Sequence, residues 1–218
     1  MFRLVCLVIG YGLGCIQTAY IVGKAFGKLD IREYGSGNAG MTNVTRVMGA
    51  RAGLSVFCMD MLKAVVAYVV CSLLFHGVGA FWQGDPAVGV LPGLYAGIGV
   101  ILGHNFPFYL GFRGGKGIAA SIGLTLCLDW RVALVDFVCG FVAVLPRYIS
   151  VSSLVMTALL PILMLVFGHT VEEVLLCCVV TALAYYQHRG NIVRLVQGKE
   201  RKFSFHKDEA EGKREGGK

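Results

Sequence analysis

Apolar residues in this chain are gathered into seven runs, at about 4–23, 53–75, 87–102, 117–128, 131–146, 149–168 and 171–186. Crossing the hydrocarbon core of a bilayer takes ~20 such residues in a helix. The first, second and sixth runs reach that length. The third, fifth and seventh are short. The fourth, Ile118 to Leu128, would cover only ~17 Å as a helix; it is either re-entrant or begins inside the glycine-rich stretch before it. Composition agrees with the runs: 56% of residues are hydrophobic and 15% charged, where a soluble domain carries ~25% charged. The expectation is an all-α membrane protein with seven transmembrane helices.

Charge sets the orientation. With the N-terminus outside and the C-terminus in the cytoplasm, the cytoplasmic side holds stretches 24–52 and 103–117, the turn at Arg147 and the tail from 187. Together these carry seventeen of the twenty Lys and Arg. Arg3 and Arg131 stay outside, and Lys63 lies within a run. Six crossings would put the basic tail opposite the basic first loop, against the positive-inside tendency. Residues 1–202 read as one membrane domain and 203–218 as a charged, disordered cytoplasmic tail. The net charge of +7 does not indicate nucleic acid, because no aromatic-basic platform accompanies it. All eight cysteines sit in apolar runs without metal-type spacing, so they read as small buried residues. The run after Arg3 is longer than a signal-peptide core and reads as a retained first span. Pro92 and Pro161 fall inside spans and are expected to kink them.

The inner stretches carry the chemistry. The first reads Gly35-Ser36-Gly37-Asn38-Ala39-Gly40-Met41-Thr42-Asn43-Val44-Thr45-Arg46. Its glycines let the backbone turn sharply and expose N–H groups. Residues 42–48 then have helical spacing, with Gly49 as a stop. On that helix Thr42, Asn43 and Arg46 share a face, an arrangement that can grip a phosphate. The second stretch runs from Gly103-His104 through Arg113-Gly114-Gly115-Lys116-Gly117 into an apolar helix. Glycine N–H groups, a helix N-terminus and a lysine make a phosphate cradle. The pattern is not that of a nucleotide-binding P-loop. In the third, His188, Asn191 and Arg194 recur every three residues, a polar stripe on a short helix. Each stretch has an ordinary alternative: a solvated turn and helix cap, a hydrogen-bonded interfacial loop, a surface amphipathic helix. What distinguishes them is that all three fall on one membrane side. Within the spans, Asp60 and Lys63 are three apart and suited to pair, bracing the inner loops; Asp136 stands alone.

These stretches resemble the bacterial membrane acyltransferases that use acyl phosphate and glycerol 3-phosphate. Ser36-Gly37-Asn38 through Arg46 looks like that family's first motif, Gly103-His104 through Gly117 its second, and His188-Arg189 through Asn191 with Gly198 and Glu200 its third. Order and spacing match up to about residue 202. The family usually has proline at Ala39, alanine at Met41 and lysine at Arg113, and none of these changes removes a polar group. The resemblance implies acyl transfer from acyl phosphate to the sn-1 hydroxyl of glycerol 3-phosphate, giving lysophosphatidic acid and phosphate in phospholipid synthesis. It implies a site at the cytoplasmic face of the cell membrane among membrane lipids, with neither metal nor other cofactor. The HxxxxD signature of other glycerolipid acyltransferases is absent: Tyr109 and Val193 stand five residues after His104 and His188. On this resemblance the catalytic candidates are Ser36, Arg46, His104 and Lys116. Ser36, Asn38, Thr42, Asn43, Arg46, Gly114, Gly115, Lys116, His188 and Asn191 are the candidates for binding substrate. The rival is a membrane transporter for a small anionic solute, which would gather its polar groups near the midplane instead of at one face.

Overall fold

A computed structural model of the chain describes residues 1–82, 86–145 and 147–204, with the backbone alone for the helical residues 76–82 and 86–89. Residues 205–218, most of the expected tail, lie outside the described residues. Nine α-helices and no strand occur among those described: α1 (Phe2–Gly14), α2 (Thr18–Gly27), α3 (Met41–Met48), α4 (Ala50–Trp82), α5 (Pro86–Asn105), α6 (Ile118–Leu128), α7 (Trp130–Val144), α8 (Ile149–Val166) and α9 (Val171–Val196). Among the described residues each apolar run lies mainly in helix. Three stretches among the described residues are long and apolar enough to cross a membrane by themselves: Phe2–Gly27, Ala50–Phe75 and Ile149–Val166. The chain is a multi-pass membrane protein, and large apolar side chains such as Leu4, Phe26, Leu62, Phe141 and Leu165 face outward.

The first run departs from expectation. It is two helices, α1 and α2, broken at Cys15–Gln17. No proline marks that break; Gly14 precedes it and the polar pair Gln17-Thr18 follows. Lys63 of α4 meets the carbonyls freed there: its ammonium donates to those of Gly14 at 3.3 Å and Ile16 at 3.0 Å. A second departure is at the other end. His188, Asn191 and Arg194 belong to no separate surface helix, because α9 continues unbroken to Val196. Gly190 only weakens a helix that nothing else interrupts. The short fourth run begins at Ile118, after the glycines and not within them. Pro92 and Pro161 are inside α5 and α8, as expected.

Glycines set the closest helix contact. A Cβ on Gly10 would fall 1.9 Å from the Ala96 carbonyl oxygen, on Gly14 2.3 Å from that of Val100, on Gly99 2.3 Å from that of Leu7, and on Gly103 2.2 Å from that of Tyr11. Alpha1 and α5 therefore run parallel with backbones touching, the contact small residues permit in membranes. Parallel is also the relation that first and third crossings of an alternating bundle must have. Leu94, Ile101, Leu124, Leu160 and Met164 fill the core beside them. At the end away from the polar loops, Arg3 meets Glu172 bidentately at 2.7 and 2.8 Å, and Tyr95 donates to the same carboxylate at 2.8 Å. A capping box between Thr170 and Glu173 starts α9.

Candidate active site

The loop before α3 is shaped by one side chain. Asn43 is 1% exposed; its Oδ1 accepts from the Ser36 N–H at 2.8 Å, and its Nδ2 donates to the carbonyls of Ile31 and Tyr34, both at 3.1 Å. Both amide donors are spent, so Asn43 holds the loop instead of offering itself to a ligand. What it holds is Ser36, whose side chain stands exposed, followed by Gly37 with φ +72°. Asn38 is half-buried, as are Thr42 and Arg46 on α3, while Val44 and Val47 of that helix are buried. Alpha3 ends at Gly49, as its spacing predicts.

The second loop folds back on the end of α5. Gly114 N–H donates to the Asn105 carbonyl at 3.2 Å and Gly115 N–H to that of His104 at 3.0 Å. These were the N–H groups expected to cradle phosphate. They are committed to the last carbonyls of α5, which a helix end leaves without intrahelical partners. The glycines are there for closeness. A Cβ on Gly114 would fall 1.9 Å from the His104 carbonyl oxygen, and one on Gly115 2.0 Å from His104 Nε2 and 2.6 Å from the Ala39 carbonyl oxygen. Gly117 precedes α6 without a side-chain cap, leaving the N-terminal dipole of that helix facing the loop.

His104 is not open to the loop. It is 4% exposed, with Nδ1 3.0 Å from Lys63 Nζ and 3.5 Å from Asp60 Oδ1. Asp60 and Lys63 pair at 2.8 Å, as their spacing suggests, and Thr18 donates to Asp60 at 3.0 Å. His104 Nδ1 accepts from the ammonium when the ring proton is on Nε2, and faces Asp60 as a donor when the proton is on Nδ1.

Lys116 points the other way, across to α9. Its ammonium donates to Asn191 Oδ1; Asn191 Nδ2 donates to Glu200 at 2.6 Å; Glu200 also accepts from Ser150 at 2.8 Å and Arg194 at 2.8 Å. Burial opposes the charge on Glu200, but Asn191, Ser150 and Arg194 outweigh it and hold that carboxyl below its ordinary range. Burial, partly offset by Glu200 and reinforced by Arg194, pushes the Lys116 ammonium down to about 8. One turn before Asn191, His188 is 3% exposed and its Nδ1 bonds the Ala184 carbonyl at 2.8 Å. Here the proton is on Nδ1, and Nε2 is left as an acceptor.

The three stretches thus meet. Arg32 donates to the Leu110 carbonyl at 3.1 Å and Ala39 abuts Gly115, joining the first loop to the second; Lys116 joins the second to α9. Beside Ser36, a cavity of about 630 Å³ opens between the first two loops, lined by Asp30, Arg32, Glu33, Gly37, Leu110, Gly111 and Arg113. Two features escape a reading of the sequence as site chemistry. Ser150 is one, its only signal being a place on the inner turn before the sixth run. The clamping role of Glu200 is the other. Among the described residues no group of His, Cys, Asp and Glu is arranged to hold a metal.

Residues 4–198 match the family model described as glycerol-3-phosphate acyltransferase. A glycerol-3-phosphate acyltransferase of Thermoanaerobacter pseudethanolicus is 39% identical over 203 residues, covering 93% of this chain and 96% of its own. One of Halalkalibacterium halodurans is 41% identical over 212 residues, with the same coverage. Among solved structures, the crystal structure of PlsY, an integral membrane glycerol 3-phosphate acyltransferase, in its glycerol 3-phosphate form superimposes with a TM-score of 0.80 at 32% identity, covering 93% of this chain and 96% of that one. Its lysophosphatidic acid form gives 0.77 at 31%, with the same coverage.

Proposed function

Because this chain belongs to the glycerol-3-phosphate acyltransferase family, we propose that it transfers a fatty acyl group from acyl phosphate to the sn-1 hydroxyl of glycerol 3-phosphate. The site faces the cytoplasm of a seven-crossing protein in the cell membrane, and the products are lysophosphatidic acid and phosphate. The observation that carries this reading is the Lys116–Asn191 contact, which brings the glycine-rich loop and the polar stripe of α9 into one site. The relative solved in glycerol 3-phosphate and lysophosphatidic acid forms supports the acceptor and the product.

Both substrates carry phosphate and one carries a lipid tail. The tail lies among the helices while the phosphates meet the polar loops. Arg46 and Lys116 bind and neutralise phosphate, with Thr42 and Asn38 at the rim and Asn191 holding the lysine in place. His188 Nε2 accepts from the attacking hydroxyl and orients it. The hydroxyl oxygen attacks the acyl carbonyl, and the exposed Ser36 hydroxyl donates to the developing oxyanion. As the new ester bond forms, the bond from acyl carbon to phosphate oxygen breaks, and the departing phosphate takes up the proton. An acyl phosphate is already activated, so positioning and charge stabilisation do most of what the reaction requires. His104, Asn43, Gly114 and Gly115 serve by shaping the loops.

Purified protein given acyl phosphate and glycerol 3-phosphate, without added metal, should form lysophosphatidic acid. Turnover with acyl-CoA and none with acyl phosphate would overturn the assignment of donor.

A further inference from the structure

We propose that Lys63 is a positioning residue for this reaction: a buried cation that, through His104, sets where the Gly114–Lys116 loop presents its ammonium group. The inference rests on the reading of Lys116 as a phosphate grip.

Lys63 sits at a junction of four elements. Its Nζ takes the Gly14 and Ile16 carbonyls from the broken turn between α1 and α2, pairs with Asp60 of its own helix, and lies 3.0 Å from His104 Nδ1 of α5. Gln17, in the same break, donates to the carbonyls of Gly103 at 3.3 Å and His104 at 3.0 Å. The His104 carbonyl also receives the Gly115 N–H, and the far edge of the His104 ring lies against Gly115. Lys63 and Lys116 are therefore linked by one ring and one peptide, with no flexible side chain between. Holding a charge in this interior is costly unless it is paired and fully hydrogen-bonded. A neutral side chain would fill the space without that cost. What it could not do is fix the imidazole from one side and the helix break from the other, and that need accounts for a lysine here.

The test is a double-mutant cycle in purified, full-length protein, read as steady-state KM for glycerol 3-phosphate and for acyl phosphate. Lys63→Met should raise KM for glycerol 3-phosphate at least about tenfold, since small misplacements of a binding group are costly, and leave KM for acyl phosphate much less affected. In a Lys116→Met background, Lys63→Met should add less than about twofold, because it acts through a group already gone. Should Lys63→Met alone leave Asp60 unpaired and the protein unstable, Asp60→Asn with Lys63→Met removes the pair together and enters the same cycle. Losses that multiply in the cycle overturn the role of Lys63 and leave the phosphate grip standing. If Lys116→Met alone keeps its affinity for glycerol 3-phosphate, the grip itself fails, and the inference with it.

Discussion

A single methyl group at Gly115 should disable the enzyme without unfolding it. An alanine Cβ there would lie 2.0 Å from His104 Nε2 and 2.6 Å from the Ala39 carbonyl oxygen, where ordinary contact begins at 3.4 Å, a shortfall of about 1.4 Å. Neither neighbour yields readily. The ring is buried and tied to Lys63, and Ala39 is wholly enclosed. Gly115 is absent from the residues with left-handed φ, so alanine is conformationally permitted and its effect is steric. The loop must therefore move, and Lys116 with it. A displacement near 1 Å in a binding group costs roughly 100-fold in kcat/KM. The assay is kcat/KM for glycerol 3-phosphate in detergent, with the melting temperature followed in parallel. Gly12→Ala is the control, since nothing lies within 4 Å of its Cβ. Gly115→Ala retaining wild-type kcat/KM and melting temperature would refute the reasoning, as would an equal loss in Gly12→Ala.

Arg46→Ala and Lys116→Ala should each lose at least ~10-fold in kcat/KM, because a charged hydrogen bond contributes ~1.5–3 kcal/mol; Arg46→Lys should be impaired as well, since a point charge cannot reproduce the planar fork. Full activity in both alanine variants would remove the phosphate grip. The Lys116 ammonium, pushed down to about 8, is charged below that pH and neutral above it. Accordingly kcat/KM for glycerol 3-phosphate should fall as pH rises through about 8, and Lys116→Arg should shift that fall upward; an unchanged profile in Lys116→Arg would assign the titration elsewhere. Single cysteines at 38, 114 and 199, in a background without native cysteines, should be labelled only from the cytoplasmic side and one at 170 only from outside. Labelling of 38 and 199 from opposite sides would end the seven-crossing arrangement.

What the sequence discloses is what depends on neighbours along the chain. Apolar runs become helices because a bilayer leaves the backbone little choice. The spacing of Asp60 and Lys63 implies their pairing, and Gly49 ends α3 because a glycine with φ +92° can leave a helix there. What stays hidden is set by distant partners. The carbonyls freed at the Cys15–Gln17 break are met by a lysine more than forty residues away. Gly114 and Gly115 read as donors of N–H groups to phosphate, yet those groups are taken by the end of α5. Asn43 has the composition of a ligand and the position of a brace. Only its burial and its three bonds tell the two apart.

The glycine contacts between α1 and α5 also impose a timetable on biosynthesis. Gly10 and Gly99 are 89 residues apart in the chain. At the usual pace of translation, ~5–20 residues per second, the partner face emerges roughly 4–18 s after the first. Early in that interval α1 stands alone; once α4 follows, it meets α1 through Lys63, which takes the Gly14 and Ile16 carbonyls, and through Phe75 against Phe2. The ion-bearing helix thus acts as a placeholder. It holds the first span with its glycine face vacant until α5 arrives to fill it, and a ribosome stalled between the two leaves that face open to any other helix in the membrane.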